Sequence, residues 1–357
     1  MTTNNNTIPN ITMTVIFEGS ALNRNEKIGG NILSVKKLNV NGEEKTYLSK
    51  GAIRHYLFNT LVRAENWKEA KILPDGQVLQ FDIAADDILS CEELDVFGYM
   101  NTTQSQTRKT PLHITKAISL FPYEQDMGMY ANHDLVRRAK EQGNLENNAN
   151  PNPFNKEEHT SFYKITFTID SDKLGVDKWI IKSFLYENST LNLGGFRSIS
   201  NVTDESKQQE ELRKFKVGDI GYIVIKPLQN GSFMATFEST EKQQRIRDIL
   251  TTIHNGLISH TSSESNTIVP IFIIIGDVTV PSPVFHSFID VKKTDEGGFE
   301  VTGIDDAINN GWLKGNLYIK GCEKLKAQYP KDLKNLKEAK DWETFLTEVN
   351  LPEVTKS

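Results

Sequence analysis

Hydrophobic and polar positions alternate with a period of two in several short stretches of the chain, and with a helical period in a few longer ones. Over residues 162–170, Tyr163, Ile165, Phe167 and Ile169 fall on one side and Lys164, Thr166 and Thr168 on the other. That is the pattern of a half-buried strand. Residues 13–17 are β-branched and apolar and predict a first strand. Residues 111–120 set Leu112, Ile114, Ile118 and Leu120 to one side, a strand interrupted at Lys116. Residues 221–228 and 232–237 flank Gln229-Asn230-Gly231 and predict a hairpin, and 268–275 reads as a buried strand. Behind Ser49, Ile53, Leu57, Phe58 and Leu61 recur at helical spacing. They predict a helix capped by Ser49, running to about residue 64, with Lys50 and Arg54 together on one side. Further helices are expected over about 240–257 and 331–349.

Between these elements lie two long polar stretches, 142–159 and 198–216, read as functional insertions or unstructured chain. The order β-α-β, insertion, β-hairpin, α, β predicts an α+β fold with a ferredoxin-like core and inserted arms. No internal repeat or clean linker interrupts it, so one decorated domain over 1–357 is expected.

The composition is that of an ordinary globular protein, 38% hydrophobic and 25% charged over 357 residues. A net charge of −6 counts against nucleic-acid binding, which usually shows as basic excess. The distribution qualifies this. Residues 20–72 hold ten Lys/Arg against five Asp/Glu, and residues 96–123 hold Arg108, Lys109 and Lys116 with no carboxylate. Two distant cysteines, Cys91 and Cys322, suit a reducing compartment. The polar start is unlike a signal peptide, and the longest apolar run, 268–276, is too short to cross a bilayer. A cytoplasmic protein without membrane contact is expected.

Candidate chemistry gathers at residues 21–55. Ala21-Leu22-Asn23-Arg24-Asn25 leaves the first strand, Ile28-Gly29-Gly30 turns the chain, and Ser49-Lys50-Gly51-Ala52-Ile53-Arg54-His55 opens a helix. A helix N-terminus offers N–H groups and partial positive charge, which suits a phosphate chain. Dinucleotide, Walker, nucleophile-elbow and His-Glu-x-x-His signatures are missing. So is an RNP-type octapeptide, so base stacking on a sheet is not signalled. The histidines (55, 113, 133, 159, 254, 260, 286) share no ligand-like spacing. Asp86 and Asp87 could bind a metal but read as solvated charge; no metal and no cofactor are expected.

Five segments in order then make a pattern: Leu22-Asn23-Arg24-Asn25; Ser49 to Arg54; Asp95-Val96-Phe97-Gly98-Tyr99-Met100; Ala117-Ile118-Ser119; and Phe162-Tyr163-Lys164 leading to Asp170 and Lys173-Leu174-Gly175. In these the chain resembles the backbone subunit of type I CRISPR Cascade complexes, of the RAMP superfamily, and most closely the DevR-type protein of type I-B systems. The resemblance implies an RRM-like palm from about 11–64, 110–122, 160–190 and 218–290. It adds fingers over about 65–110, a polar insertion at 141–160, a thumb over 192–218 and a C-terminal helical segment at 331–350. Copies would stack as a helical filament along a guide RNA (crRNA), beside other Cascade subunits, and present the bases to target DNA. Phosphate contacts position without reading sequence, and specificity passes to guide–target pairing.

Carried over to this chain, Asn23, Arg24 and Asn25 would line the guide backbone, Ser49, Lys50 and Arg54 would meet phosphates, and the adjacent His55 would also touch the RNA. A solvent-facing turn and an ordinary capped helix are the plainer readings of those two groups. Phe97, Tyr99 and Met100 would wedge against nucleotides or pack in a core. Arg108, Lys109 and His113 would touch nucleic acid or lie on a solvated loop. Gly194, Gly195 and Arg197 would open the thumb, with Phe196 inserting at a kinked nucleotide. Related type III subunits cleave RNA with an aspartate shortly after an Ile-Gly-Gly-like stretch. Here Asn31 follows Gly30 and the first aspartate is Asp75, so no target cleavage is expected. The enzymatic rival is a RAMP-type endoribonuclease processing precursor guide RNA, with His55 as its best candidate acid–base group. An adaptor that binds no nucleic acid is a third reading.

Overall fold

In the computed structural model the described residues are 7–20, 32–73, 78–143, 151–206, 211–261, 264–330, 333 and 335–353. Its main sheet is built around the first strand, Asn10–Ser20. That strand pairs antiparallel with Thr160–Ile169 on one side, Met13 opposite Phe167, and with Pro270–Val278 on the other, Met13 opposite Ile275. The full order is Lys337–Glu338, Leu313–Lys320, Pro270–Val278, Asn10–Ser20, Thr160–Ile169, Ala117–Ser119, Glu43–Leu48, Lys37–Val40, with Leu112–Ile114 also on Thr160–Ile169. The strand interrupted at Lys116 is thus two short strands on one partner.

Alternation decides which face each strand buries. Ile11, Met13, Val15 and Phe17 share a core with Tyr163, Ile165, Phe167 and Ile169 from the neighbouring strand. Two helices cover that face. Lys50–Glu65 supplies Ile53, Tyr56, Leu57 and Leu61; Lys242–Asn255 supplies Ile246, Ile249, Leu250 and Ile253. Each such side chain removed from water contributes roughly 1.5–3 kcal/mol. Asn66, left-handed at φ 58°, ends the first helix, and Trp67 beyond it donates Nε1–H to Asp248 of the second at 3.0 Å. On the opposite face Thr14 meets Thr166 at 2.6 Å, and Ile16, Phe162, Phe272 and Ile274 pack under Phe285, Ile289, Val291 and Leu317.

A second core lies in a five-stranded antiparallel sheet, ordered Val176–Ile181, Phe233–Ser239, Gly221–Pro227, Arg213–Val217, Val202–Asp204. Its inward residues, among them Trp179, Phe215, Ile223 and Phe237, pack against Ile83, Ile88, Leu89 and Leu94 from the segment after the first helix. Trp179 is the largest fully buried side chain there, and Trp179→Ala would cost about 3–5 kcal/mol. The hairpin turns at Gly231 with φ +79°, a conformation that favours glycine.

Two expectations are corrected by this architecture. The polar stretch 198–216 contains strands Arg197–Ile199, Val202–Asp204 and Arg213–Val217, and 142–159 contains Phe154–Glu158. In Arg213–Val217 the polar Lys214 and Lys216 alternate with the buried Phe215 and Val217, whereas Phe154–Glu158 buries Lys156 and Glu157. Phe154–Glu158 pairs with Asp126–Tyr130 and Ile32–Leu33 in a small sheet, beside the helix His133–Glu141, which buries none of its residues. The expected helix over 331–349 is only Trp342–Glu348, because Lys337–Glu338 adds to the sheet edge and Ala339 N–H donates to Leu317 O at 2.8 Å. Asp341 caps that shorter helix by accepting from Thr344 N–H at 2.7 Å. Among the described residues no helix is long and apolar enough to cross a membrane.

Candidate nucleic-acid interface

The first helix begins as its sequence requires. Ser49 is extended at φ −68°, ψ 154°, and its hydroxyl accepts from Ala52 N–H at 3.2 Å, while Ile53 N–H reaches Ser49 O at 3.1 Å. The first turn carries no acidic residue, so nothing there neutralises the helix dipole. Lys50 is exposed on it. The strand before the helix places this tip, since Leu48 pairs with Ala117 and the preceding Lys116 sets its ammonium 5.3 Å from the Tyr47 ring centroid.

His113 is exposed and stands opposite Thr168 in the register. Partial desolvation of its ring pushes its pKa below the ordinary histidine value; Asp170 opposes this, and Lys173 and Lys50 push the same way. Lys50, His113 and Lys173 therefore share one electrostatic neighbourhood. The buried Asp170, just past the end of the strand, holds Lys173 by an ion pair. Lys116 and Lys173 were not among the residues expected to bind. Their place depends on strand register, which neither local pattern reveals. Lys109 is exposed nearby in sequence, on the rim of a shallow pocket with Lys173 and Lys178.

Other expected contacts are placed elsewhere. Asn23, Arg24 and Asn25 lie outside the described residues, as does Ile28-Gly29-Gly30. Arg54 turns from the tip to Glu93, at 3.5 Å, and lies 4.9 Å over the Phe97 ring. Glu93 needs it: burial raises that carboxyl's pKa, and Arg54 offsets part of the cost. His55 is exposed, with Nε2 3.0 Å from the Asn59 amide nitrogen.

Three expected binders are buried in ion pairs or hydrogen-bond networks, and the readings are corrected accordingly. Arg108 lies 2.5 Å from Asp95 and also donates to Lys173 O at 2.9 Å. Asp95, wholly buried, in turn takes Arg245 at 2.8 Å and Gly175 N–H at 2.9 Å. Tyr99 donates its hydroxyl to Asp177 at 2.6 Å and accepts from Trp179 Nε1–H at 2.6 Å. Arg197 grips Asp87 at 2.5 Å and Ala85 O at 2.6 Å. A guanidinium already surrounded by carboxylate and carbonyl oxygens has no face left for phosphate. Asp86 and Asp87 are likewise buried and paired, with Lys68 and Arg197, instead of solvated. Phe196 is half-buried against Trp179 at 5.6 Å, and Phe97 is buried against Phe58. Met100 alone of its group is well exposed, beside Ile72, Val78 and Leu79 in a cleft that Arg54 also lines.

Among curated proteins none matches this chain. Its fold is similar to a chain of a CRISPR RNA-guided surveillance complex, pre-nicking, at TM-score 0.46 and 9% identity, covering 91% of this chain and 98% of that one. A second CRISPR RNA-guided surveillance complex chain gives TM-score 0.45 at 9% identity, covering 96% and 98%. The family model for the CRISPR-associated negative auto-regulator DevR/Csa2 matches residues 11–297, which takes in the capped helix, the second helix, the five-stranded sheet and the main sheet apart from Leu313–Lys320 and Lys337–Glu338. The chain belongs to the DevR/Csa2 family of CRISPR-associated proteins.

Proposed function

We propose that this protein is a guide-RNA-binding backbone subunit of a CRISPR interference complex of type I-B, and that it holds RNA without cutting it. Copies stack as a helical filament along the guide in the cytoplasm, beside other Cascade subunits, and leave bases free to pair with target DNA. The observation that carries this reading is the tip of the Lys50–Glu65 helix: a Ser49-capped N-terminus with no carboxylate in its first turn, an exposed Lys50 on it, Lys116 just ahead of the strand that pairs beside it, and His113 within the electrostatic reach of Lys50 and of the Asp170-paired Lys173. Such a tip holds phosphate by charge and dipole, with no sequence preference. The order Pro270–Val278, Asn10–Ser20, Thr160–Ile169, then Leu112–Ile114 and Ala117–Ser119, with helices after the first and third in chain order, supports a ferredoxin-like, RRM-like palm.

Copurification tests the reading. A discrete short RNA should accompany the protein and be lost progressively as salt rises. Recovery of nucleic-acid-free protein that fails to bind any RNA at low salt would overturn it. The non-catalytic part rests on Asn31 standing where a carboxylate is needed and on His55 facing an amide. Metal-independent cutting of a repeat-containing transcript, abolished by His55→Ala, would favour the processing endoribonuclease instead.

A further inference from the structure

The five-stranded sheet buries one face in the second core and leaves the other to solvent, and strand register fixes what that outer face presents. One cross-strand row runs Lys214, Val224, Thr236, Lys178. The next runs Lys216, Tyr222, Glu238, and a third runs Lys226, Met234, Ile180. All are exposed or half-exposed, while the residues between them along each strand are buried. Four lysines therefore share a face on which Glu238 is the one carboxylate among these paired positions, on a chain of net charge −6. Asp219, in the turn beyond, takes one of them, Lys216, at 3.1 Å.

The spacing suits an extended polyanion. Lys214 and Lys216, two residues apart, are separated by about 7 Å, and Lys178 lies three strands from Lys214, about 14 Å away. Tyr222 sits between them, with the Lys214 ammonium 4.1 Å from its ring centroid. Ile180, 60% exposed, and Met234 extend an apolar strip beside the ring. Cations that follow a backbone, around one aromatic face and a sequence-tolerant apolar strip, are what single-stranded nucleic acid requires.

We propose that the outer face of this sheet binds single-stranded nucleic acid, with Lys178, Lys214, Lys216 and Lys226 on phosphates and a base stacked on Tyr222. The Lys214 ammonium now over the ring exchanges onto a phosphate as the base arrives. This surface is separate from the helix tip and does not depend on what that tip binds.

Fluorescence anisotropy of the full-length protein with labelled oligo-dT, oligo-U and a duplex of equal length, across a salt series, tests it. The double variant Lys178→Glu/Lys226→Glu should weaken single-strand binding at least about tenfold and lower the salt slope by about two. Tyr222→Ala should lose about fivefold or more and Tyr222→Phe should retain affinity. Lys50→Glu should remove only the part of the binding that belongs to the helix tip, and the loss caused by Lys178→Glu/Lys226→Glu should persist in full in the Lys50→Glu background, so the two surfaces fail separately. Preference for oligo-dT points to a DNA strand and preference for oligo-U to RNA; either supports the class. Unchanged affinity and slope in a double variant of wild-type melting temperature would overturn the proposal. So would equal affinity for the duplex, or displacement of the oligonucleotide by poly-glutamate at matched charge.

Discussion

Asp95 and Arg245 meet at 2.8 Å beneath the junction of the two cores, with Arg108 closing on the carboxylate's other oxygen at 2.5 Å. None of the three has appreciable contact with solvent, and they come from three separate segments of the chain. Two guanidiniums on one carboxylate are tolerable because Ile88 O, Val176 O, Lys173 O and the Glu241 carboxylate take further N–H groups, although the buried Arg245 Nε–H has no partner among the described residues.

Removing that carboxylate should therefore be severe. Asp95→Ala leaves two buried cations facing each other and is expected to cost about 3–5 kcal/mol, or to prevent folding. Asp95→Asn keeps the volume and one acceptor and should cost less. Chemical denaturation of both variants checks the order; a near-neutral Asp95→Ala would contradict the buried network.

Changes of charge separate surface from core. Lys50→Glu should weaken RNA binding uniformly across guide sequences and lower the salt slope by about one, with an unchanged melting temperature. Arg108→Gln should do the opposite, destabilising the protein while leaving the affinity of whatever folds intact. Binding and melting curves on both decide it.

Tyr99 makes a similar discrimination at lower cost. Its hydroxyl links the Asp177 carboxylate to the Trp179 indole, so Tyr99→Phe leaves Asp177, whose pKa burial already raises, short of a donor. A loss of about 1–3 kcal/mol is expected with no change in RNA affinity. A selective loss of binding would return Tyr99 to the interface.

Acid sensitivity follows from His286. Burial, aided by the neighbouring Lys164, lowers its pKa to about 4, and its Nδ1 lies 2.9 Å from the Thr166 hydroxyl. Unfolded, it titrates near its ordinary value of about 6.5. Between about pH 6.5 and about pH 4 the unfolded chain binds a proton that the native protein refuses, so stability is whole above that window and falls on acidification through it. His286→Gln should flatten this part of the profile. Melting temperatures at intervals from pH 7 to pH 4 would show it.

Much of the fold could be read from local pattern. The strand carrying Tyr163, Ile165, Phe167 and Ile169, the Ser49 cap, the first helix and the turn at Gly231 all appear where the spacing puts them. The C-terminal helix was overestimated because a charged stretch with helical residues is also compatible with a sheet edge, and Leu313–Lys320 offered one at Lys337–Glu338. The site was read less well. Arg108 looks like a free cation in a segment without carboxylates and Arg197 like the opening of a thumb, yet Asp95 and Asp87 reach them across 13 and 110 positions.

Alone, then, the order of residues determined which side of each strand and helix is apolar, where the first helix starts, and that no carboxylate stands between Gly30 and Gly42. These depend on neighbours two to four positions apart, which a linear pattern contains. Tertiary structure decided which cations remain on the surface. A basic side chain is sequestered or left free according to the acid that packing brings beside it, and packing joins residues far apart in the chain. Lys50 kept its solvent, Arg54 and Arg108 acquired carboxylates, and four lysines scattered over 178–226 came to share one face of a sheet.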